Sequence, residues 1–284
     1  MVQCGDIIIR RNTALKILLT NDDGIHAPGL WAAARALCQA GDVYVVAPDR
    51  EQSGVGASLT LHAPVKVQEV SVAQHLGPNT DIPHEIKAYS AEGTPGDACI
   101  LALEHLVGSV DLVVSGINRG SNLGWDIMVS GTVGAALQGY VRGYPTIAIS
   151  VGSVQNPLFD GAATFLELLI RQFAGTKREG NFFLNINVPS LPLQQVVGVQ
   201  VTRLGGRSYG ESVREEGTGA QKRYWISRNR PVQADNGEGS DMWALKNNRI
   251  SVTPLQLSLS NEAQAPEIES MLANLPAHLL HFQD

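Results

Sequence analysis

Cysteine is scarce in this chain. Only Cys4, Cys38 and Cys99 are present among 284 residues, and no two of them form a Cys-x-x-Cys pair. A disulfide framework or a thiolate zinc site needs more cysteines at closer spacing. The sequence therefore predicts reduced thiols that hold no metal.

Long hydrophobic runs are also missing. The apolar segments at 42–47 and 111–115 are far shorter than the roughly 20 residues that span a bilayer. Residues 1–13 carry one short apolar run ahead of Arg10 and Arg11, which is the wrong order for a secretory signal. We therefore expect a soluble, cytoplasmic protein with no membrane partner and a short N-terminal extension over residues 1–13.

An excess of basic residues is absent too. The formal net charge is −6, which argues against polymeric nucleic acid as a partner because binding a polyanion requires a basic surface. A small anionic substrate stays possible where local groups or a metal offset its charge. Glycine, by contrast, is abundant at 29 copies, and it concentrates where the backbone turns sharply or approaches a ligand.

Several well-known catalytic motifs do not occur. There is no GxxxxGK[ST], no GxGxxG after a strand, no GxSxG and no HExxH. Asp22 and Asp23 are adjacent rather than spaced as Asp-x-Asp, which disfavours an aspartyl-phosphate enzyme of the haloacid dehalogenase type. Kinase, NAD-dependent dehydrogenase and serine hydrolase functions are likewise disfavoured.

Strand and helix patterns alternate along the first two thirds of the chain. This alternation predicts βαβ units and a Rossmann-like, doubly wound α/β core of mainly parallel strands over residues 14–200. The predicted strands are 16–20, 42–47, 110–115, 146–150 and 181–187, and the predicted helices are 29–38, 95–105, 132–142 and 161–174.

The character of the sequence changes after residue 200. Residues 203–230 are rich in Lys, Arg, Gly and Tyr and have little helical periodicity, which predicts an extended hairpin arm. A strand at 249–253 and an amphipathic helix at 266–280 are predicted to follow, so residues 201–284 form the third predicted segment. We expect the arm to be an oligomer contact, and the alternative is a flexible loop.

Polar side chains follow the predicted strands at the sheet edge where ligands bind in α/β proteins. Asp22 and Asp23 come after the first strand, Ser53 after the second, and Asn118 after the strand that begins near residue 110. Two adjacent carboxylates repel each other unless a cation lies between them or one is protonated. Carboxylate, hydroxyl and amide oxygens suit Mg²⁺, Mn²⁺ or Ca²⁺. The alternative for Asp-Asp-Gly is an ordinary solvated turn.

A second candidate element is the start of the helix near residue 132. Ser130 and Thr132 are capping residues, and Gly131 lets the backbone approach a ligand closely. Free N–H groups in the first turn of a helix bind phosphate. The alternative is a small-residue helix that only packs tightly on the sheet.

Seven sequence blocks occur in order along the chain: LLTNDDG at 18–24, VAPDREQSG at 46–54, GTPGD at 93–97, DLVVSGINRG at 111–120, SGTVGAA at 130–136, NINVP at 185–189 and ISVTP at 250–254. Taken together, these blocks resemble the SurE survival-protein family. The family usually has Tyr where this chain has Val129 and commonly an acid where it has Gln138.

The resemblance implies a metal-dependent 5′-nucleotidase, a phosphomonoesterase that acts on nucleoside 5′- and 3′-monophosphates, often with exopolyphosphatase activity. It implies one divalent ion held by Asp22, Asp23, Ser53 and Asn118, and we expect Asp22 or Asp23 to accept the proton of the attacking water. Phosphate contacts are expected from Asn21, Asn122, Ser130, Gly131 and Thr132. The resemblance also implies a homodimer or homotetramer built through the C-terminal hairpin and helix.

Two alternatives to this function remain open at the level of sequence. One is a broad acid phosphatase or polyphosphatase without preference for a nucleoside. The other is a nucleotide-binding regulatory protein that does not catalyse a reaction.

Overall fold

The computed structural model of the chain describes residues 14–77, 80, 82–175, 180–206, 209–218, 221–231, 237–273 and 275. The predicted extension over residues 1–13 lies outside the described residues. The predicted terminal helix at 266–280 is described up to residue 273, and of the rest only residue 275 is described.

The regular elements alternate as the sequence pattern indicates. The strands are β1 (Leu15–Thr20), β2 (Gly41–Pro48), β3 (Val67–Glu69), β4 (Ile86–Ala91), β5 (Leu112–Arg119), β6 (Thr146–Val151), β7 (Phe183–Val188), β8 (Gly198–Val201), β9 (Tyr209–Glu216), β10 (Arg223–Pro231) and β11 (Arg249–Pro254). The helices are α1 (Pro28–Leu37), α2 (Ala73–Leu76), α3 (Pro95–Leu101), α4 (Gly131–Val141), α5 (Phe159–Gly175), α6 (Asp241–Lys246) and α7 (Ala265–Leu272).

Nine strands form one sheet in the order β3-β4-β2-β1-β5-β6-β7-β11-β8. The six strands from β4 to β7 in this order are parallel, whereas β3 pairs antiparallel with β4 and β11 pairs antiparallel with β7. The predicted α/β class with a mainly parallel sheet is confirmed. β9 and β10 form a separate antiparallel hairpin, as predicted for the arm.

Helices cover both faces of the sheet. On one face, α1 and α5 bury residues such as Leu30 and Leu166 against the side chains of β1, β2, β5 and β6. On the other face, α3 packs through Ala98 and Cys99, and α4 packs through Val133 and Ala136. This arrangement confirms the doubly wound prediction and leaves the carboxyl ends of the strands open for a site.

Capping residues fix where α3 begins. Thr94 accepts a hydrogen bond from the Asp97 N–H, and the Asp97 carboxylate accepts one from the Thr94 N–H, which is a complete capping box. Pro95 occupies the first turn, where its missing N–H costs nothing. The predicted start of this helix is confirmed, although its last turn, residues 102–106, is a π-helix.

The structure extends β5 beyond the predicted end at Ser115. The strand continues to Arg119 after a shift in its register with β6 between Ser115 and Asn118. Gly116 makes this possible, since it has φ +133° and a Cβ there would lie 2.2 Å from the Ile149 carbonyl oxygen. Asn118 is therefore at the end of a strand and not within a free loop.

The sheet also continues past residue 200, where sequence predicted a boundary. β11 pairs with β7 and β8 pairs with β11, so part of the predicted C-terminal segment completes the core sheet. The short elements β3, β4, α2, β8 and α6 were not predicted. Within the described residues, no helix is long and apolar enough to cross a membrane.

Candidate active site

The strand order reverses between β1 and β5. From β1 the chain crosses to β2 on one side, whereas β5 lies on the other side and leads on to β6. In open α/β sheets, the crevice at such a switch point is where ligands bind. The loops after β1 and β5 meet at this point, and they carry the predicted site residues.

The loop after β1 is held in a tight turn by its own side chain. Asn21 Oδ1 accepts a hydrogen bond from the Gly24 N–H at 3.2 Å, and Asn21 Nδ2 donates to the Gly24 carbonyl at 3.0 Å. Gly24 has φ +94°, and a Cβ there would lie 2.9 Å from the Arg50 carbonyl carbon. The structure thus gives Asn21 a role in shaping the loop, and its predicted phosphate contact stays a prediction.

Asp22 is the more buried of the two adjacent carboxylates, with 5% of its surface exposed. Its Oδ1 accepts a 2.5 Å hydrogen bond from the Thr132 hydroxyl, across 110 residues of sequence. Burial raises the pKa of Asp22 to about 6, the Thr132 hydroxyl opposes this rise, and the charge of Asp23 adds to it. Two predicted elements, the carboxylate pair and the start of α4, are therefore in direct contact.

Asp23 contacts the end of β5. Its Oδ2 accepts a hydrogen bond from the Arg119 N–H at 2.9 Å, which ties the loop after β1 to the end of β5. Burial raises the pKa of Asp23, while the backbone N–H and the charge of Arg119 oppose the rise. Both aspartates are thus held near the β1–β5 junction by groups that stabilise their charged forms.

Ser53 and Asn118 lie in the neighbouring segments. Asn118 is buried, and its Nδ2 donates to the Gly120 carbonyl at 2.7 Å, so its Oδ1 is the atom left to coordinate a ligand. The Ser53 hydroxyl donates to Glu51 Oε1 at 2.8 Å, and Glu51 lies 3.6 Å from the Arg119 guanidinium.

The first turn of α4 faces Asp22. Ser130 caps the helix by accepting a hydrogen bond from the Val133 N–H at 3.2 Å, which leaves the N–H groups of Gly131 and Thr132 outside the helical ladder. Gly131 packs so closely that a Cβ there would lie 2.7 Å from the Asp22 Cβ. This close approach explains the need for glycine at position 131.

Asn122 is buried in a network of amides under the loop after β5. Its N–H donates to Asn187 Oδ1 at 2.8 Å, and its Nδ2 donates to the Ser150 hydroxyl at 2.9 Å. The Asn122 carbonyl accepts hydrogen bonds from Asn185 and Asn187. The Asn122 side chain anchors the loop to β6 and its backbone anchors the loop to β7, and its predicted phosphate contact stays a prediction.

Asp241, which sequence reasoning missed, fixes the next part of the same loop. It is fully buried, and its carboxylate accepts hydrogen bonds from the N–H groups of Gly124 at 2.7 Å and of Gly205 and Met242 at 2.8 Å. Burial raises the pKa of Asp241, and the three N–H groups oppose the rise. Ser240 and Asp241 resemble any helix start, so only the three-dimensional contacts distinguish this residue.

The four predicted metal ligands offer only oxygen donors, although Ser53 is exposed and donates its hydroxyl hydrogen to Glu51 in place of a contact with Asp22 or Asp23. This chemistry fits a hard divalent cation such as Mg²⁺, Mn²⁺ or Ca²⁺. Among the described residues there is no cluster of three or more His, Cys, Asp or Glu side chains that could hold a metal. Gln138, where the family commonly has an acid, pairs with Arg142 along α4 and takes no part in this donor set.

Comparison with known proteins points to one family. The family model described as "Survival protein SurE" matches residues 17–211. A protein of Dehalococcoides mccartyi strain CBDB1 named 5′-nucleotidase SurE is 44% identical over 244 residues, which are 85% of this chain and 88% of that protein. One of the same name from Geobacter sulfurreducens is 42% identical over 259 residues, 90% of this chain and 93% of that protein. A crystal structure titled as the SurE protein of Aquifex aeolicus superposes with a TM-score of 0.75 at 36% identity, covering 90% of this chain and 99% of that one.

Proposed function

The chain belongs to the SurE survival-protein family, and we propose from this membership that it is a 5′-nucleotidase, which hydrolyses nucleoside monophosphates to nucleoside and phosphate. The observation that carries the proposal is the hydrogen bond from Thr132 to Asp22. It joins a pair of carboxylates, which suits a cation, to a helix N-terminus, which suits a phosphate.

We propose that Asp22, Asp23, Asn118 and Ser53 hold one divalent cation, Mg²⁺ or Mn²⁺, with Ca²⁺ able to occupy the same oxygen donors. The buried, adjacent carboxylates support this, because a cation would offset both the burial that mainly raises the pKa of Asp22 and the smaller repulsion from Asp23. When bound, such a cation polarises a phosphoryl oxygen and acidifies water.

The first turn of α4 binds the phosphoryl group in this mechanism. The N–H group of Gly131 and the positive end of the helix dipole stabilise negative charge on the phosphoryl oxygens, whereas the Thr132 N–H donates to Asp22. Ser130 and Thr132 hold the turn in place through their own hydrogen bonds. The close packing of Gly131 on Asp22 keeps phosphate and carboxylates adjacent.

Hydrolysis adds water across the bond between phosphorus and the ribose oxygen. The water oxygen bonds to phosphorus, the bond to the ribose oxygen breaks, and that oxygen takes up a proton from solvent water. Asp22 or Asp23 accepts the proton that the attacking water loses. Thr132 donates to Asp22 and the Arg119 N–H donates to Asp23, and these bonds favour the charged form of each carboxylate, which is the form that accepts a proton.

A metal-removal experiment tests the proposal. Protein stripped with EDTA should release no phosphate from AMP and should recover activity with Mn²⁺ or Mg²⁺. A panel of AMP, GMP, glycerol phosphate and polyphosphate at equal concentration separates a nucleotidase from a broad phosphatase or polyphosphatase. Hydrolysis of AMP that does not depend on metal would contradict the proposed mechanism, and AMP binding without phosphate release would favour a regulatory protein.

We also propose that the β9–β10 hairpin is an oligomer contact, in a dimer or tetramer. Val213, Tyr224, Trp225 and Ile226 on the hairpin are all more than half exposed, so both faces of the two-stranded ribbon present large apolar side chains to solvent. Sedimentation equilibrium of a chain with residues 209–231 replaced by a short Gly-Ser linker tests this. An assembly state equal to that of the full chain would contradict the proposal.

A further inference from the structure

A cavity of about 460 Å³ opens beside Asp23, on the side of the switch point covered by α1 and α5. Its walls come from the segments that follow β1, β2, β5 and β6, and they include His26, Asp49, Arg119 and Phe159. The volume lies within the range of small-molecule sites, and the cavity begins at a residue of the proposed metal site.

We propose that this cavity binds the nucleoside part of the substrate, with the base against Phe159 and His26 and the ribose beside Asp49. The inference rests on the proposed function and adds the direction in which the substrate lies. The phosphate sits at the start of α4, and the nucleoside crosses the switch point to the α1 and α5 side.

The aromatic wall of the cavity is rigid. The Phe159 ring packs over α1 at Gly29, where a Cβ would lie 2.7 Å from the ring. His26 stacks on His75 with ring centroids 5.3 Å apart, and His75 stacks on Trp31 at 4.2 Å with nearly parallel rings. Because these rings are already fixed, stacking a flat base on them costs less side-chain entropy of the protein than stacking on mobile rings would.

The polar wall of the cavity includes the carboxylate of Asp49, whose side chain is 32% exposed. The backbone N–H of Asp49 donates to the Ala91 carbonyl at 2.9 Å, which fixes the position of the residue. A ribose hydroxyl in the cavity would donate a hydrogen bond to this charged acceptor, which is stronger than a bond to a neutral one.

The other cavity that borders the site is a poorer fit for a nucleoside. It has a volume of about 750 Å³, touches Ser130 and is lined mostly by aliphatic side chains, among them Val133, Leu255 and Leu257. A base and a ribose placed there would lose hydrogen bonds to water and gain few in return. The cavity beside Asp23 has more polar and aromatic residues in its lining, so it is the better fit for a nucleoside.

Direct binding of adenosine to metal-free protein tests the inference without any catalytic step. Calorimetry should show that Phe159→Leu, which keeps an apolar side chain against α1, weakens adenosine binding by about tenfold, and that His26→Ala weakens it less. Leu257→Ala in the aliphatic cavity is the matched control and should bind adenosine as the wild type does. Thermal unfolding of each variant checks that the fold is intact.

Kinetics provide a second readout. In Phe159→Leu, the ratio of kcat/KM for AMP to kcat/KM for glycerol phosphate should fall about tenfold, because glycerol phosphate has no base to stack. If adenosine does not bind the wild type, or binds Phe159→Leu and wild type equally, the cavity assignment is wrong even where AMP is hydrolysed. If no monoester is hydrolysed but adenosine binding still depends on Phe159, the cavity assignment stands and the phosphatase function fails.

Discussion

The junction of β1 and β5 and the β9–β10 hairpin use polar residues in opposite ways. At the junction, hydrogen bonds join residues far apart in sequence, such as Asp22 to Thr132 and Asp23 to Arg119. In the part of the hairpin whose side chains are described, polar contacts join the two strands to each other: Lys222 pairs with Glu215 at 2.6 Å, and the Trp225 indole donates to Glu216.

This difference indicates where each region gets its shape. The geometry of the junction depends on the packed sheet, since its partners come from separate strands and helices. The hairpin keeps its shape through its own strand pairing, and Ile226 remains 76% exposed. Mutations at the junction should therefore affect both chemistry and folding, whereas mutations in the hairpin should leave the folding of the chain nearly unchanged.

The largest effect is expected from Asp23→Asn. The substitution removes a charge that the proposed cation needs and places an amide where Asp23 accepts the Arg119 N–H. We expect kcat/KM for AMP to fall on the order of 10³-fold with an unchanged circular dichroism spectrum. Asp42→Asn, at the opposite end of the strands, should keep full activity. Turnover by Asp23→Asn close to that of the wild type would contradict the assignment.

Asp241→Ala tests whether the loop beside the site depends on hydrogen bonds to the Asp241 carboxylate, which is far from the loop in sequence. The change leaves the N–H groups of Gly124, Gly205 and Met242 without their shared carboxylate. Urea unfolding should show a loss of about 3 kcal/mol. The exposed acid Asp160 provides the control, since Asp160→Ala should change the unfolding free energy by less than about 0.5 kcal/mol. Equal losses in the two variants would contradict a stabilising role for the hydrogen bonds to Asp241.

Asp97→Asn should have a smaller effect that depends on pH. Burial raises the pKa of Asp97, but hydrogen bonds from Thr60 and Thr94 outweigh it and hold the pKa below the usual 3.8. A carboxyl with a lowered pKa in the folded state stabilises the fold above pH about 4, and this contribution is lost as the pH falls through the folded pKa.

The measurement is urea unfolding of wild type and Asp97→Asn across pH. We expect a difference of about 1–2 kcal/mol at pH 7 that shrinks below pH 4. A difference that stays constant from pH 7 to pH 2.5 would show that the charge of Asp97 is not the cause.

The smallest effect is expected from Trp225→Ser in the hairpin. The indole is more than half exposed and its hydrogen bond to Glu216 lies at the surface, so the unfolding free energy should change by less than about 0.5 kcal/mol. The measurement is made at a chain concentration low enough to keep the protein monomeric. A loss above 2 kcal/mol would mean that the hairpin packs within its own chain, and the comparison with the junction would fail.

Much of the site was predictable because it follows from strand positions. Asp22 and Asp23 come directly after a buried strand, and in parallel sheets such positions face the ligand edge. The α4 start was predictable from Ser130 and Thr132, which are local capping signals. Their contact with Asp22 was not derivable from spacing, since it depends on how α4 docks on the sheet.

The parts that sequence missed are those that depend on distant partners. β3 and β8 have three and four residues, too few for a periodic pattern, and they form because neighbouring edges are free to pair. Glycine often marks a turn, but Gly116 lies inside β5. It is glycine because the Ile149 carbonyl oxygen lies too close to leave room for a side chain. Asp241 has an ordinary sequence context, and only the fold brings Gly124 and Gly205 to it.

A titration of Mn²⁺ into EDTA-stripped protein, followed by calorimetry, tests most directly whether the carboxylate pair at the β1–β5 junction is a metal site. We predict one Mn²⁺ per chain in the wild type and in Asp42→Asn, with binding lost in Asp23→Asn. Equal stoichiometry and affinity in wild type and Asp23→Asn would contradict the account.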